Sequence, residues 1–169
     1  TTVNNGASQS YAIAASTGYH ILDVTVDGAS VGAVASYTFT SVTASHTIAA
    51  TFAINTYSVN VSRSGTGTGS VASSPTGIAC GADCAETYNH GTVVTLTATV
   101  DASSTFTGWS GACTGAATTC TLTVDGVKSV TAAFALKTYT ITATAGAHGT
   151  VTPAGATTVN HGGSQSYAI

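Results

Sequence analysis

The chain has 169 residues, only 5% of them charged, and a formal net charge of -3, whereas soluble domains ordinarily carry ~25% charged residues. Its bases are Arg63, Lys128 and Lys137, which gives no basic stripe for a nucleic-acid backbone and no polybasic patch for an anionic membrane. Hydrophobic residues still make up 43% and alternate with Thr and Ser, so the chain falls outside the low-hydropathy class of disordered sequences.

The opening segment, TTVNNGASQSYAI (Thr1–Ile13), returns as TTVNHGGSQSYAI (Thr157–Ile169), identical at eleven of thirteen positions and offset by 156. Asp27-Gly28 then marks a hairpin turn. HTIAATF follows, with Ile48, Ala50 and Phe52 on the inward face of a strand. TYSVNVS places Tyr57, Val59 and Val61 on one face, and TVVTLTATV points Val94, Leu96, Ala98 and Val100 inward with Thr95, Thr97 and Thr99 outward. Asp125-Gly126 is a second hairpin signal. SVTAAFA buries Val130, Ala132 and Phe134, and TYTITAT aligns Tyr139, Ile141 and Ala143. Alternation of period two with β-branched residues is the signature of half-buried strands. Glycine after Asn5, His90 and His161 supplies positive φ at three matching turns, and Pro75 and Pro153 fall in loops. No run has helical periodicity. No apolar stretch approaches the ~20 residues of a membrane span. The chain contains no Met and no secretory signal, and reads as a fragment, or a mature form, of something longer.

A second echo sets the unit length. FAINTYSV (Phe52–Val59) recurs as FALKTYTI (Phe134–Ile141), offset by 82. Residues 56–137 therefore form one complete 82-residue β-repeat; residues 138–169 are the front part of another, and residues 1–55 are the back part of such a split repeat. The fold class expected is all-β: tandem small antiparallel β modules arranged end to end in an extended array or filament. The split halves leave apolar faces and unpaired edges. Either the chain continues covalently as an array, or one copy donates strands to the next. Thirteen nearly duplicated residues would compete for one place in a strand exchange, which favours the covalent array.

GTVTPAG, then GSVASSPTGIACGADCAETYNHGTVVTLTATVDASSTFTGWSGACTG, then KSVTAAFA resemble the divergent internalin-type B-repeats of bacterial surface proteins. The middle repeat carries the most specific motifs: the two-cysteine loop, Y-x-x-G-T, F-x-G-W-S-G-x-C and S-V-T-A-x-F. The resemblance implies small β modules on secreted or surface-anchored proteins, serving as stalks or spacers, with no shared catalytic residues. The split repeat departs from it by lacking the cysteines and G-W-S-G.

The candidate sites are few. Cys80, Cys84, Cys113 and Cys120 suggest two disulfides in an extracellular setting; local pairing, Cys80 with Cys84 and Cys113 with Cys120, is preferred among the three possible connectivities. A four-thiolate zinc site competes poorly, because the spacings are not C-x2-C. Phe106 and Trp109 could form a sugar-stacking platform, although a small repeat needs such side chains for its core. Asp83 with Glu86, or Asp23 with Asp27, lack the calcium-loop pattern. The five histidines lack zinc-site spacing, and no nucleophile motif occurs. A Lys–Asn isopeptide at Lys128 or Lys137 has no marked carboxylate partner. Asn60-Val61-Ser62 is a formal glycosylation sequon. The sequence thus points to no catalytic, cofactor-binding or metal residues and no cofactor. The leading expectation is a secreted structural segment whose partners are copies of itself, or adjacent repeats, head to tail. The alternatives are an adhesin module that binds glycan or host protein around Trp109, and an accessory region of a large secreted enzyme.

Overall fold

A computed structural model describes all 169 residues. It contains fifteen strands and no helix: β1 (Gln9–Ala12), β2 (Tyr19–Val26), β3 (Ala29–Gly32), β4 (Ser36–Phe39), β5 (Ile48–Ile54), β6 (Thr56–Ser64), β7 (Gly69–Ser74), β8 (Ala79–Cys80), β9 (Ala85–Asn89), β10 (Val93–Val100), β11 (Ser104–Gly111), β12 (Thr119–Thr123), β13 (Lys128–Leu136), β14 (Thr138–Ala143) and β15 (Gly155–Asn160). The chain forms two compact units. One is Thr1–Tyr57 with Tyr88–Thr92 and Val124–Gly126; the other is Ser58–Thr87, Val93–Thr123 and Val127–Ile169.

Residues 56–137 build two four-stranded sheets, ordered β12-β10-β7-β8 and β11-β13-β6-β9. Their inward faces carry the period-two residues read from the sequence. Val59, Val61, Val94, Leu96, Ala98, Val130, Ala132 and Phe134 are all buried, and Val71, on β7, joins them. The sheets close on each other where Phe134 of one meets Gly69 of the other; a Cβ on Gly69 would lie 2.4 Å from the Phe134 ring. Between β6 and β7 the chain runs Ser64-Gly65-Thr66-Gly67-Thr68-Gly69 over the end of β13. Gly65 has φ +91, and a Cβ there would stand 2.0 Å from the Phe134 carbonyl oxygen. A side chain is excluded by both backbone conformation and space, so glycine is what lets β6 cross closely to the opposite sheet.

One pairing departs from the antiparallel expectation. The first and last strands of this repeat, β6 and β13, run parallel, with Val59 opposite Lys128, Val61 opposite Val130 and Ser64 opposite Ala133. Parallel neighbours cannot be joined by a hairpin; here the whole repeat is the connection. The chain consequently enters the repeat at one end of this strand pair and leaves at the other.

The remaining strands repeat this plan in parts. β2 pairs with β5 as β11 pairs with β13: Ile21 faces Phe52 as Phe106 faces Phe134, and Val24 faces Ala50 as Trp109 faces Ala132. Even the bulge recurs, between Ile21 and Asp23 in one and between Phe106 and Gly108 in the other. β1 pairs with β4 and β10 with β12, both antiparallel. β14 and β15 form a separate two-stranded sheet.

Burial in these parts contradicts the inward reading of Phe52, and leaves the face shared by Tyr139 and Ile141 open. Phe52 is 44% exposed, and Tyr139 and Ile141 are 53% and 40% exposed. The reason is a missing neighbour. β5 is the edge of the sheet β3-β2-β5, whereas its counterpart β13 is flanked by β6. Within Thr1–Tyr57, Val24 is the one fully buried hydrophobic side chain.

The turns also divide. Asp27 (φ 50) and Gly28 (φ 83) close the β2–β3 hairpin as a two-residue loop with both φ positive, the geometry that D-G favours. Asp125-Gly126 instead lies between strands of different sheets and is not a hairpin. The hairpin turn is braced by its own carboxylate: Asp27 accepts from the Thr47 N–H at 2.8 Å and from His46 Nδ1 at 2.7 Å. The bond from His46, then that from Thr47, hold the Asp27 carboxyl below its ordinary value of 3.8. A lowered folded-state value means that this bracing is complete above the unfolded carboxylate range and is lost as pH falls through the folded value. NMR titration of the Asp27 carboxyl should give a midpoint below 3.8, with the Thr47 amide shifting in step, and Asp27→Asn should abolish that pH response.

Candidate functional site: two equivalent joints

Two places recur in detail where one repeat passes into the next. β5 ends at Ile54 and β6 begins at Thr56, leaving Asn55 alone between them; β13 ends at Leu136 and β14 begins at Thr138, leaving Lys137 alone. A one-residue connection would swing freely unless its backbone groups were taken up. At the first joint the Asn55 N–H donates to the Gly18 carbonyl at 2.8 Å, and the Asn55 carbonyl accepts from the His90 N–H at 2.8 Å. At the second, the Lys137 N–H donates to the Ser103 carbonyl at 2.9 Å, and the Lys137 carbonyl accepts from the His161 N–H at 2.8 Å.

Each joint is also tied through side chains. His20 Nδ1 donates to Asn55 Oδ1 at 2.7 Å, and Lys137 Nζ donates to the Ala102 carbonyl at 2.7 Å. Tyr57 lies 6.2 Å from the His90 ring, and Tyr139 lies 6.0 Å from the His161 ring. Gly18 (φ +81) packs so closely on His90 that a Cβ would sit 2.4 Å from Nδ1. The sequence signal for these joints is the recurrence of Thr-Tyr after Asn55 and Lys137, together with Asn-His-Gly at residues 89–91 and 160–162. The docking of Gly18 on His90 has no such signal, because the pair is 72 positions apart and Ser103 takes the glycine's place at the second joint.

The other candidate residues occupy structural positions. Cys80 is joined to Cys84 and Cys113 to Cys120, leaving no free thiol. Trp109 is 6% exposed and contacts Phe106 edge-on at 5.1 Å, and Phe106 contacts Phe134 at 5.5 Å. The Trp109 indole N–H donates to the Ala117 carbonyl, and the Trp109 backbone N–H to the Gly115 carbonyl, both at 2.8 Å. The indole thus anchors the Cys113–Cys120 loop from within the core, while Phe106 is half-buried. Asp23 accepts from the Ser30 hydroxyl at 2.6 Å, Asp83 from the Ala85 N–H at 3.3 Å, and Glu86 from the Thr87 N–H at 2.7 Å. These are turn and strand contacts, and no three His, Cys, Asp or Glu side chains gather in one place.

The repeat pattern has a counterpart among known families. Residues 57–138 match the model of the divergent InlB B-repeat domain. No curated protein and no solved structure matches the chain. The family is one of bacterial surface repeats, typically extracellular, and the two disulfides are consistent with that setting. The matched span begins two residues after Asn55 and ends one residue after Lys137, and covers the two sheets with the buried Trp109: the chain carries, at residues 57–138, a divergent InlB B-repeat domain.

Proposed function

We propose that this chain is a structural segment of a secreted bacterial fibre or stalk, in which B-repeats follow one another head to tail and the role is mechanical rather than catalytic. The observation that carries this reading is the parallel pairing of β6 with β13. A repeat whose first and last strands are parallel moves the chain forward along the strand axis, by roughly 40 Å at ~3.3 Å per residue in this register. The two joints support the reading, since each spends both backbone groups of its linking residue and so limits bending between repeats. The scarcity of charge supports it too, because weakly repelling surfaces tolerate close neighbours.

The test is length against copy number. Chains carrying one, two and three copies of the 156-residue period should lengthen in equal steps of roughly 80 Å per period, two repeats each advancing by the strand-axis rise, as measured by small-angle scattering and negative-stain microscopy. Particles that stay globular as copies are added would overturn the proposal.

A further inference from the structure

We infer that strand β5 is the docking edge for strand β14 of the preceding copy in a covalently continuous series, and that the two pair in parallel in the register of β13 with β6. This inference rests on the head-to-tail reading above and adds the partner segment and its alignment.

The argument is one of missing neighbours. The complete repeat orders one sheet as β11-β13-β6-β9. The chain holds that same sheet elsewhere as two unjoined halves: β2-β5, matching β11-β13 down to the bulge, and β14-β15, matching β6-β9. β5 and β14 each have a free edge, and these are the edges that β13 and β6 use to meet. Setting β14 beside β5 gives β2-β5-β14-β15.

The exposed side chains agree. Ile141 and Ala143 stand where β6 carries Val59 and Val61, which are 0% and 6% exposed in the complete repeat; Ile141 is 40% exposed. Phe52, at 44%, stands where Phe134 is 1% exposed. Beside Ile48, at the start of β5, lies an open cavity of about 350 Å³, lined by Thr1, Val3, Tyr11, Phe39 and His46 among others. By register Tyr11 corresponds to Leu96 and Phe39 to Leu122, both core residues of the complete repeat. Ile141, Ala143 and Val151 are the counterparts of Val59, Val61 and Val71, which lie in the core of the complete repeat.

The chain also offers a route. Residues 157–169 repeat residues 1–13, and that segment provides the strand beside β4. A copy that continues through this shared segment brings its own residues 138–156 towards the vacant edge.

The register is specific. Val130 faces Val61, and Thr131 faces Ser62 with their hydroxyl oxygens 2.7 Å apart. Transferred to the joint, Ile48 faces Ala143 and Ala49 faces Thr144. Ala49 and Thr144 are both exposed, so cysteine can replace either without disturbing a core. The test is a two-copy chain in which residues 14–169 are repeated after Ile169, with Thr144→Cys in the first copy and Ala49→Cys in the second. Mild oxidation should remove both added thiols, and peptide mapping should join the segment around position 49 to that around position 144 within one molecule. The exchanged variant, with Ala49→Cys in the first copy and Thr144→Cys in the second, should keep its thiols free. Free thiols in the first variant, or equal closure in the second, overturn the inference. Scattering on the same molecules separates the two levels: elongation without closure sinks the register and leaves the fibre reading standing, while failure to elongate sinks the fibre reading itself.

Discussion

Trp109→Ala should destabilise the second compact unit by about 3–5 kcal/mol, the range for truncating a large buried aromatic. The indole is 6% exposed and stands in a chain of ring contacts that runs through Phe106 to Phe134. Removing it opens a void that a β core relaxes into only partly. Its N–H also satisfies the Ala117 carbonyl. Trp109→Phe keeps most of the packing and loses that bond, at a cost of about 1–3 kcal/mol for the partner left behind. Urea unfolding followed by far-UV circular dichroism ranks wild type, Trp109→Phe and Trp109→Ala in that order. A near-wild-type midpoint for Trp109→Ala would mean that the ring does no packing work, and would overturn its place as a core residue of the repeat.

How far the sequence carries can be judged at particular residues. The alternation in TVVTLTATV and SVTAAFA gave the strands and their buried faces, because a half-buried strand writes its orientation directly into every second residue. Asn5-Gly6, His90-Gly91 and His161-Gly162 gave positive φ at 79, 83 and 73 degrees, because glycine at a turn has a local cause. The parallel pairing of β6 with β13 was not legible. Strand direction depends on how residues some 70 positions apart are brought together, and alternation is the same for either direction. The close approach of Gly65 to Phe134 was hidden for the same reason: a glycine advertises freedom, not the distant backbone that requires it. At the joints, the recurrence of Thr-Tyr and Asn-His-Gly located the repeats, but the reciprocal use of the Asn55 and Lys137 backbones appears only in three dimensions. The inward reading of Ile48, Ala50 and Phe52 had the correct face; what alternation could not tell is whether anything covers that face.

That distinction makes Phe134 and Phe52 a matched pair. Both occupy the same place in the repeat, opposite Phe106 and Ile21 respectively. In the 169-residue chain Phe134→Ala should cost about 3–5 kcal/mol, since the ring is 1% exposed and wedged against Gly69. Phe52→Ala should cost only about 1 kcal/mol, because a side chain 44% exposed surrenders a fraction of the burial that truncation removes. The asymmetry should vanish in context. In the two-copy chain, Phe52→Ala in the second copy removes a ring that β14 of the first copy now covers, and its cost should rise towards that of Phe134→Ala. The same change in the first copy, which has no copy before it, should stay near its single-chain value. Thermal unfolding of the four variants provides the measurement. Equal costs for the two copies of Phe52 would mean that the exposed edge of β5 gains nothing from the copy before it, and that the complete repeat is the wrong template for the joint.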